Sequence, residues 1–402
     1  MPGPLHGYRV IDLTTMIAGP MAAMLLADQG ADVIKVEGPD RPDHVRRAGY
    51  GRDGLTASFL NNNRNKRSLA VDLKHPSGRA VLSQVLRGAD VLMQNFRPGV
   101  MDRLGLGYAA LKALNPGLVY VSMSGFGETG PYAHKPVYDP IIQALSGLAT
   151  VQAGSDTGRP RLVRTIVPDK VTALTAAQAV TAALLARDRP AAKGGTGEGQ
   201  HVRLSMLDSI IAFLWSSDMG GLTFVGHEVA VQKAATFIDL IYETAAGYIS
   251  VSVMTDEQWR ALAGCVGHPE WLEDARFGTP ALRDANANAR LQLIQDALRA
   301  RSAADWLALL DAAGVPCAPV LTRRQVLDHP QVQANGVVAE LEHPGAGRVR
   351  QARAAARFEA TPNEMRMGAP RLGEHTRAVL QEAGYDDDAI AALERDGVVL
   401  GL

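Results

Sequence analysis

The chain has 402 residues, 47% hydrophobic and 21% charged, with a formal net charge of −1, a globular composition with core enough for more than one domain. Its 41 basic residues against 42 acidic ones exclude a global field for nucleic acid or an anionic membrane, so a polyanionic ligand needs a local cluster of cations. Two cysteines, Cys265 and Cys317, exclude a disulfide scaffold or a four-cysteine metal site, no metal is expected, and without a leader-like or membrane-spanning segment a cytoplasmic protein is expected.

Arg9-Val10-Ile11-Asp12-Leu13 reads as a buried strand, Pro20 to Gln29 as an amphipathic helix, and Asp32 to Glu37 as a second strand. After a basic loop, Ser68 to Leu73 is strand-like, Ser77 to Arg87 helical, Asp90 to Phe96 strand-like, Ala109 to Ala113 helical and Leu118 to Ser122 strand-like. Strands alternating with helices of this length predict a mostly parallel sheet with right-handed crossovers, a Rossmann-like α/β domain. Glu37 at the end of the second strand would suit ribose recognition by a dinucleotide enzyme. The first strand-to-helix turn, Thr14 to Pro20, lacks the G-x-G-x-x-G that brings backbone against a pyrophosphate, which argues against that reading.

Lys170 to Arg187 predicts a long apolar helix, and Pro168 suits its entry. Asp169 then falls at the N-cap or in the first turn. There a carboxylate either caps free N–H groups or, kept ionised far below neutral pH, offers a nucleophile without a visible base. Gly194 to Gly199 is not followed by the lysine and hydroxyl of a P-loop and reads as a flexible turn. Gln200 to Ser205 is strand-like and an apolar helix starts at Leu207. Between Met219 and Phe237 the pattern weakens. A new unit follows, with short strands at Leu240 to Thr244 and Tyr248 to Val253 and helices at Asp256 to Val266, Asn286 to Arg301 and Ala304 to Ala313. Val337 to Phe358 reads as strands about a Gly345-Ala346-Gly347 turn, and the stretch through Leu380 and Ile390 as helical.

Several short landmarks stand in order along the chain: Ile11-Asp12-Leu13-Thr14 with Ala18-Gly19-Pro20, Gly30 to Glu37, Asn65-Lys66-Arg67-Ser68, Asn95-Phe96-Arg97-Pro98-Gly99, Ser124-Gly125-Phe126-Gly127, Tyr138-Asp139 and Gly199-Gln200-His201-Val202. By these the chain resembles, over nearly its whole length, the family III CoA-transferases of the CaiB/BaiF type, the group of formyl-CoA transferase and carnitine CoA-transferase. The α-methylacyl-CoA racemases are relatives of that group. The resemblance implies that Asp169 is a nucleophile that carries CoA from a donor acyl-CoA to an acceptor carboxylic acid, through an aspartyl mixed anhydride and an aspartyl-CoA thioester. Covalent steps between carboxylates and thioesters need no general base, because a carboxylate is already ionised at neutral pH.

The resemblance further implies coenzyme A as substrate, in a groove lined by Val71, Leu73, Lys74, Asn95, Phe96, Arg97, Arg103 and Leu104. Ile17 and Ala18 would lie near the thioester, and Tyr138 and Asp139 would shape the acyl pocket. Gly38 stands where some of these transferases carry an arginine near the adenine, a contact that Arg41 or Arg46 would have to replace. No four-glycine lid precedes the second unit; Met219-Gly220-Gly221 is a weak substitute. The implied architecture is a large Rossmann-like domain from residues 1–225, a small α+β domain at 226–327, and a segment 328–402 returning to the large domain. Two such ring-like chains would interlock as a homodimer, with acyl-CoA and small carboxylic acids as partners and neither nucleic acid nor membrane.

The rival chemistry on the same fold, racemisation, needs an acid and base pair, with a histidine directly before the acid that aligns with Asp139. Tyr138 stands there, and a phenol of pKa about 10 is a poor base but a good hydrogen-bond donor. His134 would need a rearranged loop. A CoA-binding protein without turnover is disfavoured by the intact Asp169.

Overall fold

The computed structural model describes residues 2–52, 55–154, 156–228 and 240–402. Its main sheet carries β1 (Arg9–Asp12), β2 (Asp32–Glu37), β3 (Lys66–Val71), β4 (Val91–Gln94), β5 (Val119–Ser124) and β6 (His201–Ser205), all parallel. A seventh strand, Val399–Leu400, closes the β3 edge antiparallel. The spatial order is Val399–Leu400, β3, β2, β1, β4, β5, β6.

Alternation along the strands divides the core in two. Ile11, Ile34, Leu69, Leu92 and Tyr120 face a helix layer formed by Pro76–Leu86 and the carboxy-terminal helices Thr376–Glu382 and Asp387–Arg395. Val10, Val33, Val91, Val119 and Val121 face α1 (Ala18–Asp28) and the long helix Val167–Asp188. A sheet covered on both faces needs apolar residues at successive strand positions, and these strands supply them. The strand order reverses direction beside β1, so the loops leaving β1 and β4 part to opposite faces and open a crevice at the carboxyl edge of the sheet.

Several expected boundaries moved by one to four residues. The third strand starts at Lys66 rather than Ser68, because the Lys66 side chain is fully buried and pairs with Asp12. The strand Val399–Leu400 was not expected; two residues carry no readable period.

The chain divides into two compact units. One comprises Met1–Gln152, Pro160–Val225 and Gly336–Leu402; the other Ala153–Arg159 and Gly226–Asn335. The second unit holds a three-stranded antiparallel sheet, Ile241–Glu243, Tyr248–Val251 and Cys317–Pro319, packed on helices through Trp259, Trp271, Phe277 and Trp306. Its helix Asp256–Val266 starts with a capping box between Thr255 and Gln258. Of the weakly patterned stretch from Met219 to Phe237, residues 229–237 lie outside the described residues. Among the described residues no helix is long and apolar enough to cross a membrane.

Candidate active site

Asp169 is the third residue of α3 (Val167–Asp188), following Pro168 in the first turn. The helix has no side-chain N-cap of its own. Instead Asp139, at the start of α2 (Asp139–Leu145), accepts the Asp169 N–H on its Oδ2 at 3.3 Å. Gln143, one turn on, donates to Asp139 Oδ1 at 2.6 Å and accepts the Val163 N–H at 2.9 Å, tying the segment before α3 to α2. With capping thus supplied by Asp139, the Asp169 carboxylate is left for other work. Its ionisation departs from the expectation. Burial first, and then the negative charge of Asp139, push its pKa up to about 6, against a pull downward from the Ala18 N–H that bonds it. The helix N-terminus therefore does not hold it far below neutral pH, because desolvation and a like charge outweigh the dipole.

Ala18 lies at the end of the loop leaving β1, and that loop is held at nearly every backbone group. Thr15 exchanges two hydrogen bonds with the Asn95 side chain, at 3.0 and 2.9 Å. The Met16 N–H reaches Asp43 Oδ1 at 3.1 Å, with Met16 itself at φ 71° in the left-handed region. Lys35 Nζ joins the Thr14 carbonyl at 2.9 Å to Asp43 Oδ2 at 3.0 Å. The Thr14 N–H reaches Asp12 Oδ1 at 2.9 Å, and Lys66 Nζ bonds Asp12 Oδ2 at 2.9 Å and the Pro20 carbonyl at 2.8 Å. Asp12 and Lys35 are register partners on β1 and β2, so their side chains emerge on one face of the sheet, where Lys66 from β3 joins them. Gly19 completes the fit, since a Cβ there would come within 2.3 Å of the Thr14 side chain. Buried ion pairs contribute little net stability once desolvation is counted; the geometry they fix is the backbone beside Asp169.

A cavity of about 360 Å³ at the switch point is lined by the loops after β1, β4 and β5 and by the first turns of α2 and α3. It brings together Ile17, Ala18, Asn95, Phe96, Arg97, Tyr138, Asp139 and Asp169. A second cavity of about 540 Å³, sharing Thr15 and Phe96 with the first, is lined by Val71, Leu73, Lys74 and Leu104 together with Gly38 and Arg41. Arg103 lines neither; its guanidinium lies near Gly99. Asp139 is buried, whereas Tyr138 is 68% exposed. Of the two substitutes for an arginine at position 38, Arg46 is spent on a buried bidentate pair with Glu37, at 2.8 and 2.6 Å, which leaves Arg41. The basic loop likewise holds fewer free cations than its composition suggests. Arg64 pairs with Asp28, Lys66 with Asp12, and Arg67 with Asp32 and Glu382.

Among the lining residues that escaped sequence reasoning are Lys135 and Thr172. The first lies three residues before Tyr138 and the second one helical turn past Asp169, and that proximity was the available signal. Among the described residues no histidine lines the cavity, His134 included. Gly195 and Gly199, read as part of a flexible turn, are instead tightly packed: a Cβ would fall 1.7 Å from the Arg189 carbonyl oxygen and 2.1 Å from that of Leu118, respectively. Among the described residues no group of three or more His, Cys, Asp or Glu side chains is placed to hold a metal ion.

The family model for CoA-transferase family III matches residues 5–376. The chain is 32% identical over 402 residues to the succinyl-CoA:glutarate CoA-transferase of Homo sapiens, covering 98% of this chain and 90% of that one. It is 35% identical over 390 residues to the acetyl-CoA:oxalate CoA-transferase of Acetobacter aceti, covering 94% and 96%. The crystal structure of a CaiB/BaiF family protein from Brucella suis superposes with a TM-score of 0.81 at 31% identity, covering 95% of this chain and all of that one. The chain belongs to the family III CoA-transferases.

Proposed function

We propose that this chain is an acyl-CoA:carboxylate CoA-transferase in which Asp169 is the nucleophile. The observation that carries the reading is a carboxylate in the switch-point cavity, relieved of capping by Asp139, hydrogen-bonded by Ala18 and without a histidine beside it. At neutral pH a group of pKa about 6 is mostly ionised, and burial strips it of the water that blunts a nucleophile.

An Asp169 oxygen adds to the thioester carbonyl carbon, the C–S bond breaks, and an aspartyl mixed anhydride and a thiolate result. The thiolate then attacks the Asp169 carbonyl, the donor acid leaves as its carboxylate, and the acceptor acid reverses both steps. No net proton is taken up. The Ala18 N–H, fixed by the network beneath its loop, meets the charge that develops on the Asp169 oxygen during the second attack.

CoA would lie with its pantetheine in the cavity containing Asp169 and its nucleotide in the adjoining one, where Lys74 and Arg41 supply cations and Leu73 and Leu104 apolar faces. The exchanged acids are small carboxylates, a class supported by the glutarate and oxalate enzymes among the relatives. For the assembly we propose the interlocked homodimer, with residues 226–327 as its small domain. Exposed apolar side chains on the larger unit, Leu174, Leu185, Phe213, Trp215 and Phe224, support burial against a second copy. The test is a mass-spectrometric screen of succinyl-CoA and acetyl-CoA against a panel of acids. The reading expects at least one acid to become a thioester with wild type and none with Asp169→Asn, while hydrolysis alone contradicts it.

A further inference from the structure

Thr172 follows Asp169 by three residues, so the two side chains share one face of α3, and both line the same cavity. Thr172 is fully buried, and its Oγ1 has no hydrogen-bond partner among the described residues. The two other threonines of the helix show what such a hydroxyl ordinarily does. Thr175 Oγ1 donates to the Val171 carbonyl at 2.9 Å and Thr181 Oγ1 to the Ala177 carbonyl at 3.0 Å, each one turn back. Thr172 has the same option at Pro168 and does not take it. A buried hydroxyl without a partner is disfavoured, and valine would fill the same volume without that penalty.

We propose that Thr172 contacts the substrate, donating its hydroxyl hydrogen to the oxygen of the acyl group that Asp169 attacks. The assignment rests on the transferase reading above. It complements the Ala18 N–H: one donor serves the aspartyl oxygen and the other the acyl oxygen, on either side of the C–O bond that forms between them. As the Asp169 oxygen adds to the thioester carbon, negative charge collects on the acyl oxygen before the C–S bond breaks, and a fixed donor there favours that step. The titratable or charged groups lining the same cavity are Asp139, Tyr138, Lys135 and Arg97. None of them is three residues from Asp169 on its own helix.

Thr172→Val and Thr172→Ser separate this role from a structural one. With succinyl-CoA as donor, T172V lowers the single-turnover rate of Asp169 acylation by about 100- to 1000-fold, the range for loss of one such donor, and leaves the calorimetric affinity for free CoA unchanged. Its thermal midpoint equals or exceeds that of wild type, because no existing hydrogen bond is lost. T172S restores most of the rate. A T172V that acylates as fast as wild type overturns the assignment, and so does one that melts below wild type, since the hydroxyl would then have been holding the fold. A wild type that forms no acyl adduct at Asp169 defeats the transferase reading itself, which is a distinct result.

Discussion

Replacing Asp169 by Asn should stabilise the protein while abolishing transfer, and only above a defined pH. The carboxyl is pushed from an ordinary value of 3.8 to about 6, chiefly by burial and then by Asp139. Folding therefore favours its protonated form. Between about pH 4 and pH 6 the native chain binds a proton that the unfolded chain has released, so wild type loses stability as pH rises and levels off above 6. At 1.36 kcal/mol per pH unit the full loss is about 3 kcal/mol, and partial solvent access reduces the expected part to about 1 to 3 kcal/mol. The Asp169→Asn side chain carries no charge at any pH, and the variant keeps the backbone N–H that Asp139 accepts. Thermal midpoints of both proteins, measured from pH 4 to pH 8, should coincide at the acid end and diverge by about 2 to 5 °C in favour of the variant at pH 8. Equal midpoints at pH 8, or a gap that widens toward acid, would refute the claim that Asp169 is held in a desolvated, like-charged site.

Three further outcomes follow from the same geometry. The pH profile of kcat/KM should show an acid limb near 6, and Asp139→Asn, which keeps an oxygen for the Asp169 N–H, should move it lower by removing the like charge; an unmoved limb would show that Asp139 does not tune the nucleophile. Asp43→Ala leaves the Lys35 ammonium buried without its carboxylate partner and should cost about 3 to 5 kcal/mol in chemical unfolding, whereas Arg41→Ala should leave unfolding unchanged. Lys74→Ala or Arg97→Ala should weaken CoA binding by about 1 to 3 kcal/mol in calorimetry, and Arg103→Ala, outside both cavity linings, by less; the reverse ranking would show that the groove runs along the other side of Phe96.

Much of the sheet was legible because its strands are buried on both faces and read as short apolar runs between helices. Asp32–Glu37 and the helix Asp256–Val266 coincide with their expected spans. What escaped were features decided by partners distant in sequence. Lys66 looked like a loop cation because nothing nearby says that Asp12, 54 residues away, will pair with it inside the core. Arg46 looked available for a nucleotide until Glu37 and the Pro370 carbonyl took its donors. Asp169 could be singled out from its place before an apolar helix and from the family's landmarks, but its raised pKa depends on burial in the assembled cavity and then on Asp139, brought beside it by α2. Thr172 was invisible for the opposite reason: a threonine inside an apolar helix is ordinary until its neighbours Thr175 and Thr181 are seen to bond backward and it is not.

The central claim is that the Asp169 carboxylate itself becomes acylated. Wild type incubated with succinyl-CoA, quenched with hydroxylamine or borohydride and digested, should carry a modified or reduced side chain at Asp169 and at no other carboxylate, by peptide mass spectrometry. Recovery of unmodified Asp169 alongside deuterium uptake at the acyl α-carbon from deuterated solvent would contradict the account and assign the site to proton transfer instead.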